Sequence, residues 1–319
     1  MAAGSQNKSL SMERKTKWGV IYCPKEGSAR THKRWKKICA YMQEQGIQFD
    51  FVQSEGAGSV ERLAGMLTEN GYATIVIVGG DAALNHALNG IMHAQRPGGR
   101  LPVLGVVPNG FGNDFAKYWK LEADDYKKTV DSLMRRRTRK IDVGTADVET
   151  AGGRETYYFL NGLNVGLTAS VVNVRRKARG LRGWLNAAYL YAVARVLLHR
   201  MDFKMDFRLN AGRHNQRFVA FCAGSSRSYG LTPSAVPYNG QLDITAVAYP
   251  QIKQLFVGLW LLFTGRFLRC RDIRIWRTQH VSFSNPEHAP VSLDGRVLRT
   301  KVESMEIGIQ PECLEFMIP

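Results

Sequence analysis

The chain has 319 residues, enough at ~150 residues per domain for two domains with cores of their own. Hydrophobic residues make up 45% and charged residues 22%, which excludes a disordered chain, a collagen and a small disulfide scaffold. Lys and Arg number 44 against 27 Asp and Glu, a formal charge of +17, so polyanionic partners are favoured: nucleic acid, anionic lipid headgroups or nucleotide phosphates.

Residues 1–15 are polar and read as a flexible leader with no apolar signal-peptide core. Residues 17–23 then read as a strand, and Trp35, Ile38, Cys39 and Met42 share one face of a helix. Ile47, Phe49 and Phe51 alternate as a strand, Val60, Leu63 and Leu67 suit a helix, and residues 73–78 form the short apolar run of a buried parallel strand. Leu84, Ala87, Leu88 and Ile91 make another helical stripe, followed by a strand at 103–107. This alternation predicts a parallel sheet with helices on both faces, whose ligands sit beyond the carboxyl ends of the strands.

From about Lys140 the period falls to two. Ile141 and Val143, then Phe203, Met205, Phe207 and Leu209, then Leu242, Ile244, Ala246 and Ala248, then Met305, Ile307 and Ile309 all alternate as half-buried antiparallel strands do. Helical patterns at 185–198 and 252–267 interrupt them. The expected fold class is therefore α/β: an N-terminal doubly wound α/β domain at 16–140, which the family resemblance below makes the nucleotide-binding domain, and a C-terminal β-sandwich domain at 141–311. The longest apolar run, 255–263, is far short of the ~20 residues that span a bilayer. Cys23, Cys39, Cys222, Cys270 and Cys313 are scattered without a C-x-x-C, so neither a disulfide framework nor a zinc module is expected, and a reducing, cytoplasmic setting fits.

Two loops at strand ends carry the clearest chemistry. In the first, Gly79, Gly80 and Asp81 stand where a buried strand passes into a helix. Paired glycines let backbone approach a phosphate, and an adjacent Asp can orient Mg²⁺; a tight turn with Asp81 as helix cap is the open alternative. The second runs Pro108, Asn109, Gly110, Phe111, Gly112, Asn113, Asp114, Phe115. Its G-x-G start lacks the third glycine and lies on the fourth strand, which argues against a dinucleotide fingerprint. It could contact a nucleotide, or simply start a helix capped by Asn113 or Asp114. No P-loop, G-x-S-x-G elbow or H-E-x-x-H helix occurs. In the second half, Asn239, Gly240, Gln241, Leu242 and Asp243 precede a strand, and Asp294, Gly295 and Arg296 follow one; Asp-Gly is also a common hairpin turn.

Together these segments resemble the bacterial lipid kinase family with a diacylglycerol kinase catalytic domain, which includes diacylglycerol, sphingosine and ceramide kinases. That family carries a GGDGT loop, a PxGxGNDFA segment, a DGxLD turn and a late DGE turn in this order. The resemblance runs from about Trp18 to Pro319, and the GNDFA segment, here Gly112 to Ala116, is its most specific part. It implies ATP binding in the first domain, a lipid site in the sandwich, chemistry in the cleft between them, and a final strand, about 312–319, that returns to the first domain. By the same resemblance Gly79, Gly80 and Asp81 cradle phosphates and Mg²⁺, Gly110, Gly112, Asn113 and Asp114 line the nucleotide site, Asp294 is the general base, and Asp243 is a ligand of a supporting Mg²⁺. Asp81 and Asp294 are thus the expected catalytic residues. Departures occur at Ala82, Ala83, His86, Phe111, Cys23, Asn239 and Arg296, each removing a polar or acidic group or a flexible position, and a catalytically impaired relative that binds lipid or nucleotide is the alternative reading.

Basic residues cluster at Arg135, Arg136, Arg137, Arg139 and Lys140, at Arg175, Arg176, Lys177, Arg179 and Arg182, and at Arg266, Arg269, Arg271, Arg274 and Arg277. The last follows an apolar stretch with Leu255, Phe256, Leu259, Trp260, Leu262 and Phe263, which suits a membrane interface or, equally, packing on the sandwich. The expected partners are a lipid substrate at a membrane surface and anionic phospholipid headgroups, with the protein cytoplasmic and peripheral to the inner face of the membrane. No helix-turn-helix, zinc finger or RNP-like strand supports nucleic-acid binding.

Overall fold

The computed structural model describes residues 17–24, 29–110, 112–170, 202–210, 212–227, 232–248 and 273–319. The leader, the helical patterns at 185–198 and 252–267, the basic cluster at 175–182, Arg266, Arg269, Arg271 and Phe111 lie outside the described residues. The chain divides into two compact units, one from residues 1–141 with 312–319 and one from 142–311.

In the first unit, β1 (Trp18–Tyr22), α1 (Ala29–Glu44), β2 (Phe49–Gln53), α2 (Ala57–Glu69), β3 (Thr74–Gly79), α3 (Asp81–His93) and β4 (Val103–Pro108) alternate along the chain. Two shorter helices follow, α4 (Asp114–Tyr118) and α5 (Tyr126–Met134). The strands pair in parallel in the order β4-β3-β1-β2, and the end of the last strand, β15 (Val302–Met317), joins the far side of β4 with Phe316 beside Leu104. Both faces of the central strands are covered. Val20, Tyr22, Val76 and Val78 pack with Trp35, Ile38 and Met42 of α1 and with Val130 and Leu133 of α5, while Ile21, Ile75 and Ile77 are buried on the other face. This burial on both sides is why β3 reads as an unbroken apolar run. β2 is the sheet edge, and Phe51 there stays about half exposed with its ring edge-on to Trp35.

In the second unit the strands are antiparallel. β5 (Thr138–Thr150), which begins in the first unit, and β6 (Gly153–Phe159) form a hairpin; β7 (Gly162–Gly166), β8 (Phe203–Leu209), β9 (Gly212–Gly224), β10 (Leu242–Ala248), β11 (Ile273–Thr278), β12 (His280–Ser284), β13 (Val291–Leu293) and β14 (Arg296–Val297) complete it with β15. Strand neighbours run β14-β13-β7-β9-β8-β12-β15, with β10 between β9 and β11. The alternating residues Phe207, Leu209, Ile244, Ala246, Met305 and Ile307 all enter one core, joined by Leu163, Val165, Phe221 and Leu293. Among the described residues no helix is long and apolar enough to cross a membrane.

Candidate active site

β3 and β4 are neighbours in register, Gly79 beside Pro108, so the two glycine loops leave the sheet side by side at its carboxyl edge. The Asn109 N–H donates to the Gly79 carbonyl at 2.8 Å and starts the second loop against the first. A Cβ on Gly110 would lie 2.5 Å from the Gly80 Cα, and one on Gly112 would lie 2.8 Å from Asp81 Oδ2, so any side chain there would force the loops apart. Asn113 holds a left-handed backbone, φ 54°, a conformation that Asn tolerates better than most residues. Its amide closes a ring on Gly110: Nδ2 donates to the Gly110 carbonyl at 2.9 Å, and Oδ1 accepts the Gly110 N–H at 3.1 Å.

Asp81 ties the loops together. It is buried at the first turn of α3, where negative charge suits the helix dipole, and it reaches across to the second loop. Oδ2 accepts the Asp114 N–H at 2.9 Å and Oδ1 accepts the Phe115 N–H at 3.1 Å. Asp81 does therefore cap a helix, and the helix is α4, across the loop pair. Gly80 is the N-cap of α3 and offers no side-chain bond to its first turn; Asn113 occupies the N-cap position of α4 and likewise makes none. Gly79, Gly80, Asp81, Gly110, Gly112, Asn113 and Asp114 thus form one connected cluster of glycine backbone and carboxylate. The Cβ position of Gly112 has Asp81 Oδ2 at 2.8 Å and Asp114 Oδ2 at 4.0 Å, so two carboxylates flank the cradle at Gly112. Magnesium in nucleotide sites is held by one or two carboxylates plus phosphate oxygens, and this donor set fits that pattern.

Asp294 lies in the second unit. Leu293 pairs with Arg296 across a two-residue turn, Asp294 and Gly295, with φ 46° and 87°. Positive φ at both positions is the primed hairpin turn that Asp-Gly favours. The carboxylate does more than turn the chain. It is 1% exposed and accepts three backbone N–H groups, from Leu160 at 2.7 Å and from Asn161 and Gly162 at 2.8 Å each. The Leu160–Gly162 corner is braced on its other side, where the Ser225 hydroxyl donates to the Leu160 carbonyl at 2.6 Å and the Ser226 hydroxyl to Asn161 Oδ1 at 2.8 Å. Asn161, Ser225 and Ser226 gave no local motif in the sequence; only the fold brings them to Asp294.

Asp243, also buried, accepts from the Ser234 hydroxyl at 2.6 Å and from Arg277 Nε at 2.8 Å, and this hydrogen bond raises the Arg277 pKa above its ordinary value. A cation already stands beside the expected magnesium ligand. Asp243 faces Gly224 on β9, Gly224 faces Gly162 on β7, and the Asp294 N–H donates to the Gly162 carbonyl. Three strand spacings separate the two carboxylate residues, roughly 14 Å, so they do not share one ion. The turn before Asp243 is pinned by Asp142, a wholly buried residue that the sequence did not single out: its Oδ2 accepts the Gly240 N–H at 2.6 Å.

Several departures from the family pattern have partners of their own. The His86 ring stands 3.0 Å from Glu61 on α2, within the helix packing. Ala83 is fully buried, and its methyl lies where it would meet a Cβ on Gly79. The Arg296 guanidinium sits over the Tyr157 ring, 5.0 Å from its centre, and Asn239 Oδ1 accepts the Gln241 N–H at 3.0 Å.

The diacylglycerol kinase catalytic domain family matches residues 17–146, and the family described as the YegS C-terminal NAD kinase beta sandwich-like domain matches residues 162–318. The chain belongs to the lipid kinases with a diacylglycerol kinase catalytic domain. A diacylglycerol kinase of Staphylococcus carnosus is 23% identical over 282 residues, 86% of this chain and 87% of that protein. One from Staphylococcus haemolyticus is 29% identical over 284 residues, 86% of this chain and 81% of its own length. Among solved structures, a diacylglycerol kinase from Bacillus anthracis strain Sterne has a TM-score of 0.68 at 15% identity, covering 95% of this chain and 97% of that one. Yeast NADH kinase has a TM-score of 0.56 at 8% identity, covering 95% and 83%. These two likenesses show the fold. Membership in this kinase family carries with it use of a nucleotide and a lipid acceptor.

Proposed function

We propose that this lipid kinase transfers the γ-phosphoryl group of ATP, with Mg²⁺, to the hydroxyl of a lipid of the diacylglycerol, sphingoid base or ceramide type. The observation that carries the reading is the interlock of the two glycine loops through Asp81, which builds a backbone cradle with no room for a Cβ at Gly110 or Gly112. Such a cradle suits phosphates, since phosphoryl transfer depends on positioning and charge neutralisation more than on covalent help. Asp81 and Asp114 would hold Mg²⁺, which when bound neutralises charge on the phosphates. Gly79, Gly80, Gly110, Gly112 and Asn113 position the nucleotide through backbone. Asp294 takes the proton from the acceptor hydroxyl, its carboxylate oriented by the N–H groups of Leu160, Asn161 and Gly162. Asp243 supports the sandwich side through Arg277 and Ser234. The basic run Arg135 to Lys140, exposed on the first unit, supports contact with anionic headgroups at the inner face of a membrane.

The test is Asp294→Asn, which keeps the side-chain shape and tolerates the left-handed backbone. Lipid phosphorylation should fall by about 10²-fold or more while ATP binding is retained. Phosphorylation at the wild-type rate would refute the base assignment.

A further inference from the structure

The second unit carries a polar row that the proposed mechanism leaves unused. Ser292 on β13 faces Asn164 on β7, Asn164 faces Cys222 on β9, and Cys222 faces Thr245 on β10. Residues directly opposite on neighbouring strands share a sheet face, so these four form one row across four strands. Their chain neighbours Leu163, Val165, Phe221, Ala223 and Leu293 enter the sandwich core, which puts the row on the opposite face. All four are buried: Ser292 is 0% and Asn164 1% exposed. Among the described residues neither amide atom of Asn164 has a hydrogen-bond partner, and the Ser292 hydroxyl has none.

An unmade hydrogen bond is costly once water has been excluded, and buried polar side chains without partners are scarce in native structures. Three such atoms on two facing residues leave hydrogen-bonding capacity that a bound molecule could complete. Asn contributes N–H donors and a carbonyl acceptor, and Ser a hydroxyl that does either. The row holds no ionised group, because burial pushes the Cys222 thiol up to about 12 and it stays protonated. Such a row therefore suits an uncharged group with a carbonyl, an N–H or a hydroxyl; an ammonium would find no carboxylate in it.

The row also lies beside the proposed base. Asp294 is two residues beyond Ser292, and its N–H bonds to Gly162, two residues before Asn164. One such step along a strand is roughly 7 Å. We propose that Asn164 and Ser292 bind a neutral ester or amide group of the acceptor lipid next to the hydroxyl that Asp294 activates, and so select neutral lipids over cationic sphingoid bases. This rests on the lipid kinase reading of Asp294 given above.

The experiment measures equilibrium binding of dioctanoylglycerol, a short-chain ceramide and sphingosine, in mixed micelles without nucleotide, by the full chain and by Asn164→Leu, Ser292→Ala and Asn164→Asp. Turnover with ATP is measured alongside. Asn164→Leu keeps the branching and the number of side-chain heavy atoms and removes the unpartnered amide, so the gain from losing a buried polar group offsets the added bulk and the thermal midpoint should hold. Its affinity for the neutral lipid should drop about tenfold, with a matching rise in the lipid KM and no change in the KM for ATP. Ser292→Ala should show a smaller loss of the same kind, and Asn164→Asp should move preference towards sphingosine. Preference of the wild type for dioctanoylglycerol or for ceramide tells whether the group is an ester or an amide. Equal binding of neutral lipid by wild type and Asn164→Leu would overturn the inference and leave only buried water at the row, as would a wild type that binds neither neutral lipid. If instead binding falls in Asn164→Leu while the wild type transfers no phosphate, the inference stands and the kinase mechanism fails.

Discussion

The two glycine loops of the first unit and the Asp294 corner of the second both depend on a buried aspartate that accepts backbone N–H groups, yet they are built on different principles. In the loops, Asp81 spans 33 residues of sequence, and the close approach of Gly80, Gly110 and Gly112 leaves no volume for side chains. At the corner, Asp294 spans more than 130 residues and holds three N–H groups of an irregular segment. The first is fixed by exclusion and the second by satisfaction. Breaking each therefore has a different signature.

The largest effect is expected from Asp294→Ala. It leaves three buried N–H groups without an acceptor and puts Ala at φ 46°, so stability should fall by about 3–5 kcal/mol, read from chemical denaturation of the second unit. Asp294→Asn should lose much less stability while losing the turnover. If the two variants were equally stable, the three bonds would not be holding the corner.

Gly110→Ala comes next. Its methyl would meet the Gly80 backbone at 2.5 Å, so the loops must move apart, at about 1–3 kcal/mol, and nucleotide affinity should weaken more than tenfold. Isothermal titration with MgATP checks this, and unchanged affinity would remove the cradle from the nucleotide site.

The smallest effect concerns acid, at a third place, on β8, β9 and the loop after β12. Hydrogen bonding to Arg213 holds the Asp206 carboxyl below the usual carboxylate range, and Arg217, followed by the Lys204 N–H, does the same for Glu287. A folded-state pKa below the unfolded one contributes stability above about pH 4 and loses it as pH falls through the folded value. These pairs are partly exposed, so their share is screened and small. The double variant Arg213→Gln with Arg217→Gln should flatten the decline in thermal midpoint between pH 4 and pH 2 without altering it at pH 7 by more than the lost pairs. An unchanged acid profile would show that other carboxylates govern it.

The same contrast accounts for what the sequence could show. Strands β1, β3 and β4 and helices α1 and α3 were legible because burial on both faces, or on one helical stripe, imposes a period on neighbouring residues. The glycine loops were legible for a related reason: each is a short continuous segment whose glycines and acids sit at fixed offsets. What each acid does was not. The residues left Asp81 open between orienting Mg²⁺ or a phosphate and capping a helix, and only the pairing of β3 with β4 reveals that it also caps α4. The hairpin at Asp294 was visible as Asp-Gly, but its partners Leu160, Asn161 and Gly162 are an ordinary-looking stretch that the β13–β7 register brings to it. Asn164 and Ser292 were invisible for the same reason, being single polar residues in short apolar strands. Strand register is a long-range property, and local composition carries little of it.

The measurement that bears most directly on the central claim follows the label from ATP carrying ³²P at the γ position, incubated with the full chain, Mg²⁺ and vesicles of total bacterial lipid. A labelled lipid that appears with the wild type, is lost with Asp294→Asn and does not form from α-labelled ATP is the expected result. ATP and vesicle binding with no labelled lipid under any of these conditions would contradict the assignment of Asp294 and the glycine loops to phosphoryl transfer.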